Sequence, residues 1–472
     1  MLFERISEPG LSQYAYIVGC QGAKQIAVVD PMRDIDVYID FAQKHGVEIT
    51  HVLETHIHAD FASGARELAE RTGAALCLSS YDEGEQFDVA YPHEEVRDGY
   101  TIDIGGVRLK AIHTPGHTPE HLSWLVFDLH RSPETPMAML SGDFLFVGSL
   151  GRPDLLGPAE TDALTRRLYG SVKRLETLPD SMEIHPGHGA GSMCGAGMSG
   201  RPMSTLGYER IANPMLDSSL DEDAFVERML ANLPPRPAYY TRMKQLNSGG
   251  PATLGPISAG PNIAPSDAKD MIEKGHILLD LRSQTDFGRC HIPGSICIGL
   301  GKSFSTWAAW MLPSDTPIIL AAESTRDAEA AVRGLVRVGL DDIAGHLTGG
   351  VQAWIDSGLD TKRHDVIPSS ELQERLASDD ALCVLDVRTE NEWNSGHIPG
   401  AVHIPLPDLP ARMDEFLGDR TIVTVCGGGY RSAIAASMLE RAGAKTVLDQ
   451  LGGMAAWSRA GCSTTTETAT ST

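Results

Sequence analysis

Imidazole and carboxylate side chains recur at four places in the first 190 residues of this 472-residue chain. Leu53-Glu-Thr-His56-Ile-His58-Ala-Asp60-Phe61 follows an apolar run, as do His113-Thr-Pro-Gly-His117, Ser141-Gly-Asp143 and Ile184-His185-Pro-Gly-His188. Short apolar runs of this kind are expected as buried strands, and the ends of neighbouring strands converge at one sheet edge. Four such ends bearing His or Asp form a metal-site layout, since imidazole and carboxylate are the usual ligands of zinc and iron. A different chemistry lies far downstream. Thr421-Ile-Val-Thr-Val425 runs into Cys426-Gly-Gly-Gly-Tyr-Arg431-Ser432 and then into a helical pattern. Glycines there let the backbone close around a sulfur, and inward N–H groups form a nest for an anion. The following helix N-terminus favours thiolate over thiol. Cys426 and Arg431 are the expected reactive pair, with Arg431 on an oxyanion and Gly427, Gly428, Gly429 and Tyr430 lining it.

These groups must be held by folded layers, and the chain has the means to build them. Its length suggests about three domains at roughly 150 residues each. Hydrophobic residues are 42% and charged residues 22%, ordinary for packed globular cores. In the first half, strand-like runs (Tyr14–Val18, Gln25–Val29, Ile49–Leu53, Ala75–Leu78, Val107–Ile112, Leu122–Phe127, Met137–Leu140) alternate with turns and helical patterns such as Val37–Lys44, so mixed α/β structure with much sheet is expected. From Gly187 to Pro261 the sequence is rich in Gly, Met and Pro, with one expected helix near Asp221–Leu233; it reads as an elaboration followed by a linker. The remainder is a repeat. Leu279-Asp-Leu-Arg282 and His291-Ile-Pro-Gly recur as Leu385-Asp-Val-Arg388 and His397-Ile-Pro-Gly, both offset by 106, and Gly349-Gly-Val-Gln-Ala-Trp354 recurs 103 residues on. Each copy alternates strands and helices, which predicts a parallel sheet. The tail from Ser463 lacks apolar content and is expected to be disordered.

Composition excludes several classes. With 39 basic against 63 acidic residues the formal net charge is −24, which disfavours nucleic acid or an anionic membrane as partner. No apolar run approaches the roughly 18 residues of a membrane span, and Glu4 and Arg5 stand where a signal peptide needs an apolar stretch. A cytoplasmic enzyme is the expectation. The eight cysteines are scattered with no Cys-x-x-Cys pair, so neither a disulfide framework nor a zinc finger is indicated.

The first 190 residues resemble the metallo-β-lactamase superfamily, whose signature is His-x-His-x-Asp-His followed by a later His, Asp and His. The resemblance implies an αββα sandwich. Its last signature imidazole is Phe61 here, and phenylalanine binds no metal, which argues against a two-metal, water-activating site. The ligands carried over by motif are His56, His117 and Asp143. Two imidazoles and one carboxylate with open positions suit non-haem Fe(II), one per chain. His58, Asp60 and His188 would then orient the ligands from behind. This pattern is similar to the persulfide dioxygenase branch, in which mononuclear iron oxidises a thiol persulfide to sulfite with O2. Gly151-Arg152-Pro-Asp154 is similar to that branch's segment after the metal-binding Asp, implying Arg152 on an anionic group of the substrate. Cys194, on the glycine-rich loop after His188, is a candidate redox thiol.

The second copy resembles a rhodanese domain, with Cys426 at the persulfide-forming position. Its six-residue loop fits sulfur-transferring members rather than rhodanese-like phosphatases, whose loop is one residue longer. In the first copy Ala321 falls where Cys426 would be, in Ala321-Ala-Glu-Ser-Thr-Arg326, so that copy is expected to be silent. The expected organisation is 1–250 for the metal domain, with insertion and linker at about 190–260, 261–362 for the silent copy, 363–462 for the active copy and 463–472 for the tail. Together these imply persulfide oxidation coupled to formation or use of thiosulfate, as in sulfide detoxification, with small thiols, O2 and sulfite as partners and self-association through the Gly187–Pro261 region allowed. The alternative is a glyoxalase II-type thioester hydrolase carrying a rhodanese sulfur-carrier module.

Overall fold

In the computed structural model the chain is described at residues 1–231, 233–379 and 381–466. It divides into two compact units, Met1–Ile257 with Val336–Gly339, and Ser258–Leu335 with Leu340–Thr472. Among the described residues no helix is long and apolar enough to cross a membrane.

The first unit is built on two six-stranded sheets. One runs in sequence order, Leu2–Glu8, Gln13–Cys20, Gln25–Val29, Glu48–Leu53, Ala75–Ser79 and Glu94–Val96. Its first three strands pair antiparallel and the rest join in parallel. The other is ordered Ser204–Thr205, Glu183–Pro186, Ala138–Gly142, Leu122–Asp128, Val107–His113 and Thr101–Ile104. Strand Gln13–Cys20 shows why the layers stack. Alternate residues point to opposite faces: Tyr16 and Val18 join Ala27, Leu53, Leu109, Trp124 and Leu140 between the sheets. Ala15 and Ile17 join Ile26, Val28, Tyr38 and Leu68 under helices Asp36–His45 and Ala65–Thr72. Helix Pro158–Arg174 covers the second sheet through Leu168, beside Met139, Ile184 and Phe225. Because helices cover both outer faces, the strands are apolar on both sides, and that made them legible as runs.

The second unit contains two five-stranded parallel sheets with identical strand order. In the first copy the order is Asn262–Ile263, Ile343–Leu347, Ile318–Ala321, Ile277–Asp280 and Ile296–Cys297; in the second it is Asp365–Ile367, Thr446–Gln450, Thr421–Val425, Leu382–Asp386 and Val402–His403. The repeated Asp-x-Arg is a structural clamp. Arg282 grips Asp280 at 2.6 Å and donates to the Cys290 carbonyl, while Arg388 grips Asp386 at 2.6 Å and donates to Gly396.

Two expectations differ from the structure. The stretch read as an elaboration and linker holds, besides the expected helix at Glu222–Leu230, the helices Leu206–Ala212 and Tyr239–Gly249. The last of these packs against the first unit's strand ends through residues whose polarity masked the pattern. The tail is not free from Ser463 onward: Thr465 exchanges two hydrogen bonds with His397, and Trp457 donates to the Ser463 carbonyl. Residues 467–472 of that tail lie outside the described residues.

Candidate metal centre and cysteine loop

Three buried atoms lacking hydrogen-bond partners define one point in the first unit. They are His56 Nε2, His117 Nε2 and Asp143 Oδ2, and one ligand atom from each of these residues lies within 4.8 Å of the others. Asp143 Oδ2 is 3.5 Å from His117 Nε2 and 3.9 Å from His56 Nε2. Buried polar atoms ordinarily find partners, so three orphans facing one another fit a metal ion that would satisfy all of them.

The surroundings fix each ligand's protons. Asp30 accepts from the Thr55 hydroxyl at 2.9 Å, so Thr55 Oγ1 in turn accepts from His56 Nδ1 at 2.9 Å and leaves Nε2 with its lone pair. His117 Nδ1 donates to the Arg152 carbonyl at 2.8 Å, with the same consequence. Burial, with neighbouring imidazoles, holds both rings well below the usual histidine range, hence neutral. Asp143 sits after Gly142, whose φ is +52° and where a Cβ would meet Thr55 Oγ1 at 2.6 Å. The turn therefore requires glycine. His121 Nε2 accepts from the Asp143 backbone N–H at 3.1 Å.

His58, Asp60 and His188 lie behind these atoms. His188 is held between two carboxylates, with Nδ1 at 2.7 Å from Asp143 Oδ1 and Nε2 at 2.7 Å from Asp60 Oδ2. Burial opposes its charge, but Asp143 and Asp60 outweigh it and raise the ring well above its ordinary value. His58 faces Asp30 at 3.2 Å; burial again opposes, and Asp30 and Glu54 lift it to about 9. Phe61 is buried beside both rings, with centroids 4.3 Å from His58 and 6.4 Å from His188. Asp60, His188 and Cys194 also bring ligand atoms within 4.8 Å; His188 Nδ1 is bonded to Asp143, while Nε2 lies 2.7 Å from Asp60 Oδ2 without a hydrogen bond. The Cys194 thiol is buried, which pushes it well up, and its sulfur lies 3.7 Å from the Tyr240 hydroxyl.

Arg152 differs from its expected role. Its side chain is fully buried and its guanidinium is spent on the protein, bonding Asp154 at 2.7 and 2.8 Å and the carbonyls of Met193 and Pro234. It braces the Cys194 loop instead of presenting a surface to an anion. Several residues near the site went unnoticed in the sequence. Lys244 donates to the Ile57 carbonyl at 2.9 Å, Asn247 donates to the His58 and Phe61 carbonyls at 2.8 Å, and Glu120 accepts from Ile57 N–H. The available signal was the spacing of Tyr240, Met243, Lys244 and Asn247, which is one helical face.

In the second unit, Gly429 N–H points at Cys426 Sγ from 3.0 Å, and Ser432 Oγ is 3.5 Å away. Gly429 is the N-cap of helix Tyr430–Ala442 at φ +110°. The Arg431 guanidinium forms a double contact with Glu392, both bonds 2.7 Å, which chiefly accounts for a Glu392 carboxyl lowered to about 2. Gly428 is open, with nothing within 4 Å of a Cβ added there, and a Cβ at Gly427 would meet Arg431 at 3.3 Å. The Tyr430 hydroxyl is not turned to the loop; it donates to the Gly299 carbonyl of the first copy at 2.8 Å. In the first copy Ser324 occupies the place of Gly429 and caps its helix conventionally, accepting from Asp327 N–H at 3.1 Å, while residues 323–326 are exposed.

The metallo-beta-lactamase superfamily matches residues 9–188, and the rhodanese-like domain matches twice, at 264–357 and 369–460. A crystal structure of a metallo-beta-lactamase from Staphylococcus aureus subsp. aureus COL is 35% identical, covers 73% of this chain and 98% of that one, and superposes with a TM-score of 0.66. The chain belongs to the metallo-β-lactamase superfamily, with two rhodanese-like domains following the lactamase fold. It is also similar to the persulfide dioxygenase ETHE1 of Bos taurus, 28% identical over 241 residues, spanning 50% of this chain and 83% of that protein. A beta-lactamase hydrolase-like protein of Xylella fastidiosa (strain 9a5c) is 26% identical over 253 residues, 46% of this chain; the match spans about half, 53%, of that protein's length.

Proposed function

We propose that the chain is a persulfide dioxygenase joined to a sulfurtransferase. Its first domain, 1–250, would hold one Fe(II) on His56, His117 and Asp143, the silent copy would span 261–362 and the active copy 363–462. The observation that carries this reading is the set of three orphaned buried atoms on two neutral imidazoles and one carboxylate. Phe61, which binds no metal, argues against a second ion beside it. Likeness to a persulfide dioxygenase supports the substrate class.

Iron, when bound there, would supply O2 activation and an acceptor for the persulfide's terminal sulfur. The chain's own part is positioning. Thr55 and the Arg152 carbonyl keep the protons on Nδ1 of His56 and His117, and His188 pins Asp143 Oδ1 so that Oδ2 faces inward. In balance, a thiol persulfide, O2 and water give the thiol and sulfurous acid, which ionises to sulfite. In the second copy, Cys426 would attack the terminal sulfur of a persulfide, releasing the thiol and forming a Cys426 persulfide. Sulfite would then take that sulfur, giving thiosulfate and the Cys426 thiolate; Gly429 N–H is placed to stabilise the sulfur anion.

The test is oxygen uptake and sulfite release from a panel of persulfides after anaerobic Fe(II) loading. His117→Ala should lose metal from this site and lower oxygen uptake by at least 100-fold, whereas Cys426→Ser should abolish sulfur transfer and leave uptake intact. Two zinc ions at this site, with thioester hydrolysis and no oxygen consumption, would overturn the reading.

A further inference from the structure

The second unit brings together two histidines and a glutamate that the sulfur chemistry does not use. His291 heads the His-Ile-Pro-Gly segment of the first copy, His364 lies in the strap between the copies, and Glu440 is in the last turns of helix Tyr430–Ala442 of the second. Their side chains are 0%, 4% and 11% exposed. His291 Nε2 is 3.1 Å from Glu440 Oε2 and 3.3 Å from Oε1, and His364 Nε2 is 2.9 Å from the same Oε2. One ligand atom from each lies within 4.8 Å of the others.

The proton inventory shows what this cluster lacks. His291 Nδ1 is 2.9 Å from the Phe287 carbonyl, which can only accept, so Nδ1 carries the hydrogen. The ring is further fixed by stacking on Phe287 at 4.1 Å and 4°. In the neutral ring Nε2 therefore holds a lone pair, and that lone pair faces a carboxylate that also only accepts. Two electron-rich groups about 3 Å apart in a buried site need a cation between them. His364 brings a second imidazole to the same oxygen. Lys362 supplies part of the charge at 3.3 Å, but on Oε1 and from a half-exposed side chain, leaving Oε2 to the two rings.

We infer that His291, His364 and Glu440 form a zinc-class divalent metal site that clamps the two rhodanese-like copies together. Two imidazoles and a carboxylate are a common donor set for such ions, and a ring fixed through Nδ1 to a carbonyl presents Nε2 as ligands usually do. Position adds a further term: the C-terminal end of a helix carries partial negative charge and favours a cation. The chain contains its own comparison. His397, the counterpart of His291, also bonds through Nδ1 to the carbonyl of a stacked aromatic, Trp393. Among the described residues, however, no metal-holding group of three forms around it. The Nδ1 bond thus belongs to the repeat.

The test is zinc uptake by the full chain, read as equivalents per chain by mass spectrometry after dialysis against a micromolar free-zinc buffer. Wild type should retain one equivalent more than His364→Asn and than Glu440→Gln, variants that leave His56, His117 and Asp143 untouched. Equal uptake by wild type and variants would overturn the proposal and leave a protonated imidazole as the cation. If the variants fail to fold, wild-type crystals soaked in zinc decide: an anomalous peak at the zinc edge between His291 and His364 supports the site, and its absence at saturating zinc refutes it.

Discussion

Replacing Gly429 by Ala isolates what the cysteine loop contributes. Its φ of +110° and ψ of −19° lie where L side chains rarely go, and holding a non-glycine residue there costs about 1–3 kcal/mol. Crowding is not the issue, because the nearest atoms to an added Cβ belong to Gln284 at 3.8 and 4.0 Å. The variant thus either keeps the conformation under strain or relaxes to negative φ and swings the N–H away from Cys426 Sγ, now 3.0 Å away. A hydrogen bond to a charged group is worth about 1.5–3 kcal/mol. At about 1.4 kcal/mol per tenfold, relaxation should slow sulfur transfer by about 10- to 150-fold. The assay is single-turnover transfer of sulfane sulfur from thiosulfate to an acceptor thiol, with oxygen uptake measured alongside. Gly428→Ala is the internal control, since that position is open and has no positive φ; it should transfer at close to the wild-type rate. Equal rates for the two variants would refute the reasoning, because loss through mere loop perturbation makes no distinction between neighbouring glycines.

Two further perturbations read the supports of each site. Arg152→Leu removes a fully buried guanidinium and leaves Asp154 and the carbonyls of Met193 and Pro234 without their donor, which should cost about 3–5 kcal/mol. Calorimetry should show the first unit's melting temperature lower by about 6–20 °C; an unchanged transition would mean the brace is dispensable. Burial pushes the Asp449 carboxyl up to about 7, and its Oδ1 has no hydrogen-bond partner. The native state therefore holds a proton that the unfolded chain releases near pH 4, and stability should fall as pH rises between about 4 and 7. Asp449→Asn should flatten that fall in urea titrations across the window, and an unchanged slope would show that Asp449 is ionised throughout.

Periodicity carried most of the fold. Runs such as Gln25–Val29 and Leu122–Phe127 were legible because both faces of each strand are covered, and the 106-residue offset anticipated two sheets of the same strand order. The ligand atoms were approachable for a related reason: His56, His117 and Asp143 each follow a strand, although His56 comes from the first sheet and His117 and Asp143 from the second, so the ends of both sheets meet there. What stayed hidden depends on contacts distant in sequence. Arg152 reads as an anion contact until the carbonyls of Met193 and Pro234, 41 and 82 residues away, fold over it. Asp30 ends the strand Gln25–Val29 at φ +52° and anchors both Thr55 and His58, yet beside Pro31 it looks like an ordinary turn residue. Lys244 and Asn247 sit on the buried face of a helix inside a stretch rich in Gly and Pro, where polar residues on the inner face broke the amphipathic pattern.

The two copies separate what a shared scaffold supplies from what a loop adds. Both have the same sheet order and the same Asp–Arg clamp, so neither feature makes a sulfur reactive. The difference is confined to the strand-to-helix turn. In the first copy Ser324 Oγ accepts from the Asp327 N–H and Ala321 stands at the cysteine position, whereas in the second the Gly429 N–H points at Cys426 Sγ. Helix Tyr430–Ala442 has the Cys426 sulfur at its N-terminus and the Glu440 cluster near its C-terminus, ends where the helix dipole favours an anion and a cation respectively. A copy without the loop cysteine can still serve the one that has it, because His291, Gly299 and Gly294 of the first copy hold Glu440, Tyr430 and Arg441 of that helix.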